Sequence, residues 1–451
     1  MSEAMPHPTN QRIAIATLGC KVNQFETAAM AEQLRTAGWE LVPFSAQADL
    51  YLINSCTVTS RSDAETRRLI RRARRLNPAA RVVATGCYAQ VQPAVLAAMP
   101  ELDQVLGNEE KQRIAELLIQ GDNQVTDLST LKAAGPLRLT SHLEHTRAFL
   151  QVQNGCENGC SYCIVPAARG PNRSASPDEV IATVQRLAAN GYQEVVLTGI
   201  HLGAYGLDQQ PASSLTCLVR QLEQQTAIPR LRLGSIEPNE LTDELLECFV
   251  SSNRLCPHLH IPLQSGCDTV LERMGRRYRA DFYRSVVERA AAALPDAFIA
   301  ADLIVGFPAE SEAEFNATLR LVAELPLADL HVFPYSRRPG TPAADLPDQV
   351  PPQIITRRAE QLRRLAAEKR SAFQQRFIGQ TLQVLGLRHD PQHGTLTGLS
   401  RNYLELRYPG GAELLNREVT IRVTGIEQGM LVGASIEKHV TQSYKDRVQR
   451  R

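Results

Sequence analysis

The run Phe149-Leu150-Gln151-Val152-Gln153-Asn154-Gly155-Cys156-Glu157-Asn158-Gly159-Cys160-Ser161-Tyr162-Cys163 decides how the chain is read. Phe149 to Gln153 is a short apolar run closed by Asn154-Gly155, the pattern of a strand ending in a turn. Three cysteines follow, with three and then two residues between them. That spacing lets one loop wrap a compact cofactor, and Gly155 and Gly159 let backbone come close to the sulfurs. No fourth cysteine or nearby histidine completes a closed zinc site, which normally needs four ligands.

Working outward, five further strand candidates follow: Glu194 to Thr198, Arg230 to Gly234, His258 to Pro262, Phe298 to Val305 and Asp329 to Phe333. Six strands separated by helical patterns imply a parallel barrel or part of one, with the cysteine loop at its carboxyl face, where such barrels do their chemistry. One helix start is well marked: Ser176 as N-cap, Pro177 at the first position, Glu179 completing a capping box and Gly191 as the stop.

Upstream, Ile13 to Leu18, Leu50 to Asn54 and Val82 to Thr85 read as buried strands between helical patterns at Glu26 to Ala37 and Ser62 to Leu76. Val105-Leu106 adds a strand candidate, Lys111 to Ile119 a helix, and Gln120 to His145 reads as linker. This is a parallel α/β series. Downstream, Pro351-Pro352 opens a charged helix running to about Phe377. Short runs at Thr381 to Leu387, Thr395 to Leu399, Tyr403 to Tyr408, Val419 to Thr424 and Met430 to Ile436 then suggest a small antiparallel β-barrel. The fold class expected is therefore α/β in three domains: residues 11–135, 142–375 and 378–440.

At about 150 residues per domain, 451 residues suit that division, and 43% hydrophobic with 22% charged residues describes a globular chain. Residues Met1 to Arg12 contain no apolar core for a signal peptide. Pro295, Asp296 and Asp302 break the longest apolar stretch, so a cytoplasmic protein without a membrane contact is expected. Ten cysteines in such a chain argue for metal, cluster or catalytic work rather than disulfides.

Cys20, Cys56 and Cys87 each fall just after a predicted strand, spaced 36 and 31 residues apart (20 to 56, 56 to 87), about one strand-helix-strand unit each. In a parallel sheet the carboxyl ends share one edge, so three thiols distant in sequence meet there. Three thiolates suit zinc or an iron-sulfur cluster with one iron left open. Cys217, Cys248, Cys256 and Cys267 lack pair spacing and read as packing residues.

The Cys156, Cys160, Cys163 spacing with Tyr162 before the last cysteine resembles the radical S-adenosylmethionine (SAM) signature. With the upstream cysteines and the C-terminal β-domain, the chain resembles the methylthiotransferases of that class from about Ile13 to Ile436. The resemblance implies an N-terminal methylthiotransferase domain, a partial (β/α)6 radical SAM barrel and a TRAM-like domain. It further implies two 4Fe-4S clusters, on Cys20, Cys56, Cys87 and on Cys156, Cys160, Cys163, with SAM chelated at the second. Thr17-Leu18-Gly19-Cys20-Lys21-Val22-Asn23-Gln24 resembles the subgroup that acts on threonylcarbamoyladenosine beside the anticodon of tRNA. Other subgroups act on isopentenyladenosine or on an aspartate of a ribosomal protein. Further matches are Gly86-Cys87-Tyr88-Ala89-Gln90, Leu197-Thr198-Gly199-Ile200-His201, Ser235-Ile236-Glu237-Pro238, Pro262-Leu263-Gln264-Ser265-Gly266 and Tyr335-Ser336-Arg337-Arg338-Pro339-Gly340-Thr341. Ala167 departs from the family pattern, where an aromatic is usual. The implied partners are the tRNA anticodon arm and a reductant such as flavodoxin or ferredoxin.

Cofactor contacts are expected from Tyr162 beside the last cysteine, from Thr198 and Gly199 at the second strand's end, and from Gln264 and Ser265 after a later one. Glu237 and Asp302, costly to bury unpaired, would bond either SAM or a structural arginine. No side chain is assigned as acid, base or nucleophile. Arg67, Arg68, Arg71, Arg72, Arg74 and Arg75 make a basic run, either a solvated face or a phosphate-contacting one, and Lys445, Arg447, Arg450 and Arg451 add a basic tail. A zinc-dependent RNA-binding protein is the remaining reading.

Overall fold

The computed structural model describes residues 11–131 and 146–436. β1 (Arg12–Thr17), β2 (Glu40–Val42), β3 (Leu50–Ser55), β4 (Arg81–Gly86) and β5 (Gln104–Val105) form one sheet in the order β2-β1-β3-β4-β5, parallel throughout. Every residue of β3 is buried, as a central parallel strand covered on both faces requires. β2 has three residues and no apolar run, which is why periodicity does not reveal it. The helix Ser60–Leu76 starts on Thr59, whose hydroxyl accepts from Ser62 N at 3.2 Å, and it buries Leu69, Ile70 and Ala73 against the sheet. Cys20, Cys56 and Cys87 lie where β1, β3 and β4 end, so the topology brings the three loops to one edge.

The second series contains β6 (Arg147–Asn154), β7 (Arg173–Ser174), β8 (Glu194–Gly199), β9 (Arg230–Leu233), β10 (His258–His260), β11 (Phe298–Val305) and β12 (Asp329–Pro334). β6, β8 and β9 pair in parallel, as do β10, β11 and β12. A parallel bridge between Ser235 and His260 joins the two groups. The six expected strands thus make a continuous parallel wall, a partial barrel. β7 is an addition, a two-residue strand antiparallel to β6. Ser176 caps the helix Pro177–Ala189 as expected, accepting from Glu179 N at 3.3 Å.

Alternation along these strands sorts the two faces. Leu150 and Val152, Val195 and Leu197, Leu231 and Leu233, Leu259 and Ile261, and Ile299, Ala301 and Leu303 face outward. They pack in one core with Val184, Leu218, Leu222, Phe249 and Val286 of the surrounding helices. Polar residues take several of the other positions on these strands and on β12: Glu194, Arg230, Arg232, His260, Asp302 and His331. Glu194 is fully buried against Arg230 and Arg232 at 2.9 Å each and Arg147 at 3.4 Å.

The chain divides into two compact units, Met1–Ala366 and Ala367–Arg451, with the helix Pro352–Gln375 running across the boundary. Both α/β series lie within the first of these units. In the second unit β13 (Thr381–Asp390), β14 (Thr395–Ser400), β15 (Glu405–Pro409), β16 (Glu418–Glu427) and β17 (Met430–Ser435) close a barrel in the order β13-β14-β15-β17-β16. Four pairings are antiparallel, as expected. The β15–β17 seam is parallel, because β16 crosses over before β17 returns.

Within the stretch expected as linker, Gln124 bridges to Leu106 and Leu128–Thr130 forms a short turn, while residues 132–145 lie outside the described residues. The basic tail lies outside them too. No helix among the described residues is long and apolar enough to cross a membrane.

Candidate active site

The first cysteine set is built by backbone geometry. Cys20 is the N-cap of the helix Lys21–Thr36, and Cys87 opens the helix Cys87–Val91. Gly19 holds φ at +96°, and a β-carbon there would stand 2.9 Å from Cys56 Sγ, so only glycine lets β1's loop close on that sulfur. Asn23 ties the loops together, donating to Leu18 O at 2.7 Å and Ser55 O at 3.0 Å. The three thiols are near enough for Cys87 to act on both Cys20 and Cys56. Burial, with Cys87 beside it, pushes Cys56 up to about 11. Cys20 is exposed as a residue, yet the protein packed round its thiol also moves it up, against the pull of Arg169. Such thiols stay protonated unless a metal deprotonates them.

The second set lies on the loop after β6. Gly155 holds φ at +77°, with Cys156 N donating to Gly170 O at 3.1 Å, and Ser161 is pinned by its N to Met274 O at 2.9 Å. Two cations address the sulfurs. Arg276 Nη1 donates to Cys160 Sγ at 3.2 Å, and His201 Nδ1 is 3.8 Å from Cys156 Sγ. Each cation is held by a carboxylate, Arg276 by Glu237 and His201 by Glu240. Burial pulls His201 down, but Cys156 and Glu240 outweigh it and place it at about 10. Burial pushes Cys163 up to about 12.

A cavity of about 220 Å³ lies against Cys163. Its wall includes Val58 and Thr59, just after Cys56, together with Tyr162, Cys163, Gln264, Asp302, Ile304, Phe333 and Tyr335. Of the expected cofactor residues, Tyr162, Gln264 and Asp302 face this space. Tyr162 packs edge-on to Phe307 with centroids 6.5 Å apart. Asp302 bonds no arginine: its Oδ1 accepts from His260 at 2.7 Å and from His331 at 3.1 Å, and these bonds hold its carboxyl low despite burial. Thr198 is buried at the end of β8. Gly199 passes so close to Gln153 that a β-carbon would stand 2.7 Å from Oε1, which accepts from His201 N. Glu237 acts through Arg276, the structural-arginine reading. Ser265 is fully buried, its hydroxyl 3.2 Å from that of Thr318 and accepting from Cys267 N at 3.3 Å, so it shapes the turn and does not reach the cavity.

Arg169, Arg276, His201 and Asn23 were not among the expected site residues, although His201 and Asn23 stand inside the quoted motifs. Arg338, buried within the Tyr335 to Thr341 motif, donates to Thr57 at 3.1 Å and pairs with Asp63, anchoring the loop after Cys56. Ala167 lines a second, more open depression beside Cys156 and Gly159. Cys248 and Cys256 are buried as expected, whereas Cys217 is exposed. The basic run is largely committed within the protein: Arg67 to Tyr88, Arg68 to Glu65, Arg71 to Glu101 and Arg74 to Asp103.

A partial parallel barrel with three cysteines on the loop after its first strand is the architecture of a radical SAM enzyme. Residues 150–322 match the Radical SAM superfamily and residues 12–107 match the uncharacterized protein family UPF0004. The fold resembles the radical S-adenosylmethionine methyltransferase TsrM of Kitasatospora setae. Their TM-score is 0.55 at 16% identity, covering 74% of this chain and 75% of that one. The chain is 36% identical to threonylcarbamoyladenosine tRNA methylthiotransferase MtaB of Bacillus subtilis (91% of this chain, 93% of the relative) and 37% identical to its namesake in Aquifex aeolicus (89% and 98%). It is 31% identical to tRNA-2-methylthio-N(6)-dimethylallyladenosine synthase of Maricaulis maris (94% and 97%). The chain belongs to the radical SAM methylthiotransferase family and is MtaB-like. It is an enzyme that methylthiolates tRNA, and its class uses a 4Fe-4S cluster and SAM.

Proposed function

We propose that the chain inserts a methylthio group at C2 of N6-threonylcarbamoyladenosine next to the tRNA anticodon. In this reading Cys156, Cys160 and Cys163 hold the radical cluster, and Cys20, Cys56 and Cys87 hold a second 4Fe-4S cluster. The observation that carries it is the cavity whose wall joins the loop after Cys56 to Cys163, which brings the segments of both sets to one space. The choice of base rests on relatives: those at 36% and 37% identity carry threonylcarbamoyladenosine in their names, and the one at 31% carries dimethylallyladenosine.

The donor sets fit clusters better than single zinc ions. Sulfurs round one tetrahedral zinc, each at about 2.3 Å, stand roughly 3.8 Å apart. Among the described residues, the group whose three ligand atoms all lie within 4.8 Å is His260, Asp302 and His331, not either cysteine set. Bound together, the radical cluster and SAM supply a carbon radical able to take the C2 hydrogen, which no side-chain base removes at neutral pH. A cluster on the first set would supply the sulfur.

The chain's own part is binding and orientation. Arg276 and His201 place positive charge on Cys160 and Cys156, and Glu237 and Glu240 fix both cations. Phe333 and Val58, large apolar side chains left exposed on the cavity wall, offer a planar base a stacking surface. Gln264 and Asp302 add polar groups that orient it. A reductant such as flavodoxin or ferredoxin supplies the electron.

Anaerobic reconstitution is expected to give about eight irons per chain, four per cluster of the proposed pair. Nucleoside mass spectrometry of tRNA from a deletion strain is expected to lack 2-methylthio-threonylcarbamoyladenosine while keeping the unmethylthiolated base. Four irons would end the two-cluster reading, and an unchanged nucleoside profile would end the substrate reading.

A further inference from the structure

Arg169 ends the short helix Val165–Arg169, six residues after Cys163, and its side chain is 1% exposed. Its Nε donates to Cys87 Sγ at 3.3 Å, while its two Nη groups pair with Glu26 and donate to Asn23 Oδ1. Glu26 also receives Lys111, which is 0% exposed. Asn23 in turn holds the loops carrying Cys20 and Cys56. Asn108 closes the ring, donating to Ala168 O at 2.7 Å and standing 3.9 Å from Cys87 Sγ.

The charges do not balance. Two fully buried cations, Arg169 and Lys111, share one carboxylate, which leaves an excess positive charge out of contact with water. Burying an ion without a counter-ion costs several kcal/mol. Beyond Glu26 and Asn23, the guanidinium has the sulfur of Cys87 within hydrogen-bond reach. A neutral thiol gives Arg169 little, whereas a thiolate or an anionic cluster on the first set completes the pairing.

We propose that Arg169 is a positioning residue for the first cysteine set. It donates to the Cys87 sulfur, supplies the buried positive charge that offsets a cluster there, and ties that set by hydrogen bonds to the chain segment that follows Cys163. This rests on the two-cluster reading. Hydrogen bonds to cluster sulfurs and nearby positive charge both raise a cluster's reduction potential.

The test uses the full chain with Cys156, Cys160 and Cys163 replaced by alanine, so that a first-set cluster is observed alone. Iron content and an EPR-monitored redox titration are compared for the parent, Arg169→Met, Arg169→Lys and Lys111→Met. The proposal expects about four irons in each, since one 4Fe-4S cluster remains. It expects the potential of Arg169→Met to shift furthest negative, with Arg169→Lys between it and the parent. Lys111→Met removes the same charge without touching sulfur, and should shift less. An unmoved potential in Arg169→Met with iron retained overturns the proposal and leaves the two-cluster reading standing. Iron lost from both Arg169 variants overturns it too, because the residue is then only part of the scaffold. A parent that binds no iron overturns the two-cluster reading and the proposal with it.

Discussion

Glu194→Gln probes the floor of the barrel beneath the site. The carboxylate is fully buried, 2.9 Å from Arg230 and from Arg232 and 3.4 Å from Arg147. Burial raises its pKa, but the guanidiniums of Arg232, Arg230 and Arg147 outweigh that and hold it at about 2 against an ordinary 4.5. The difference corresponds to roughly 3 kcal/mol. Removing one partner of a buried ion pair typically costs about 3 to 5 kcal/mol, the same range. Urea unfolding of the full chain at neutral pH, followed by far-UV circular dichroism, should show the variant about 3 kcal/mol less stable. A carboxyl with a lowered folded pKa stabilises above its unfolded value and loses that contribution as pH falls through the folded one. The gap between parent and variant should therefore narrow from pH 4.5 toward about 2. A neutral-pH loss below about 1 kcal/mol, as for a surface pair, or a gap that ignores pH, would refute the reasoning.

Arg276→Met removes the donor to Cys160 and should slow SAM cleavage about 10- to 100-fold, the worth of a hydrogen bond to a charged group. Iron content should stay unchanged; equal cleavage rates would remove Arg276 from the site. Gly155→Ala places a β-carbon 1.7 Å from Pro171 O, so the second set should fail to hold iron while the first keeps it, as the iron count will show. With four arginines of the basic run committed internally, the members left for phosphate contact are Arg72 and Arg75. Replacing these two with alanine should lower the slope of log affinity for tRNA against log salt by about 0.7 to 0.9 per lost phosphate contact. Arg74→Ala should leave the slope as it was, and an unchanged slope in the double variant would return the helix to a solvated face.

The strands of both α/β series were legible because their apolar runs are continuous and their cysteines mark the carboxyl ends. What stayed hidden depends on pairing between distant segments. Nothing near Arg169 or Arg276 in sequence says that their guanidiniums reach Cys87 and Cys160, 82 and 116 residues away. The arginines after Cys56 looked like one basic surface because Glu101 and Asp103, which neutralise two of them, belong to the next strand-helix unit. β2 and β7 are too short to carry a period. The parallel seam of the small barrel is a matter of crossover, which alternation does not encode.

Gln264 holds a φ of +67° at the cavity wall, a conformation that costs a residue other than glycine about 1 to 2 kcal/mol. Its backbone is kept there by N–H bonding to Asp302 O at 2.8 Å and by Ile304 N returning to its carbonyl at 2.9 Å. Position 264 is thus a place where robustness and chemistry compete. A drift to glycine would make the folded chain hardier while erasing a polar side chain from the cavity wall.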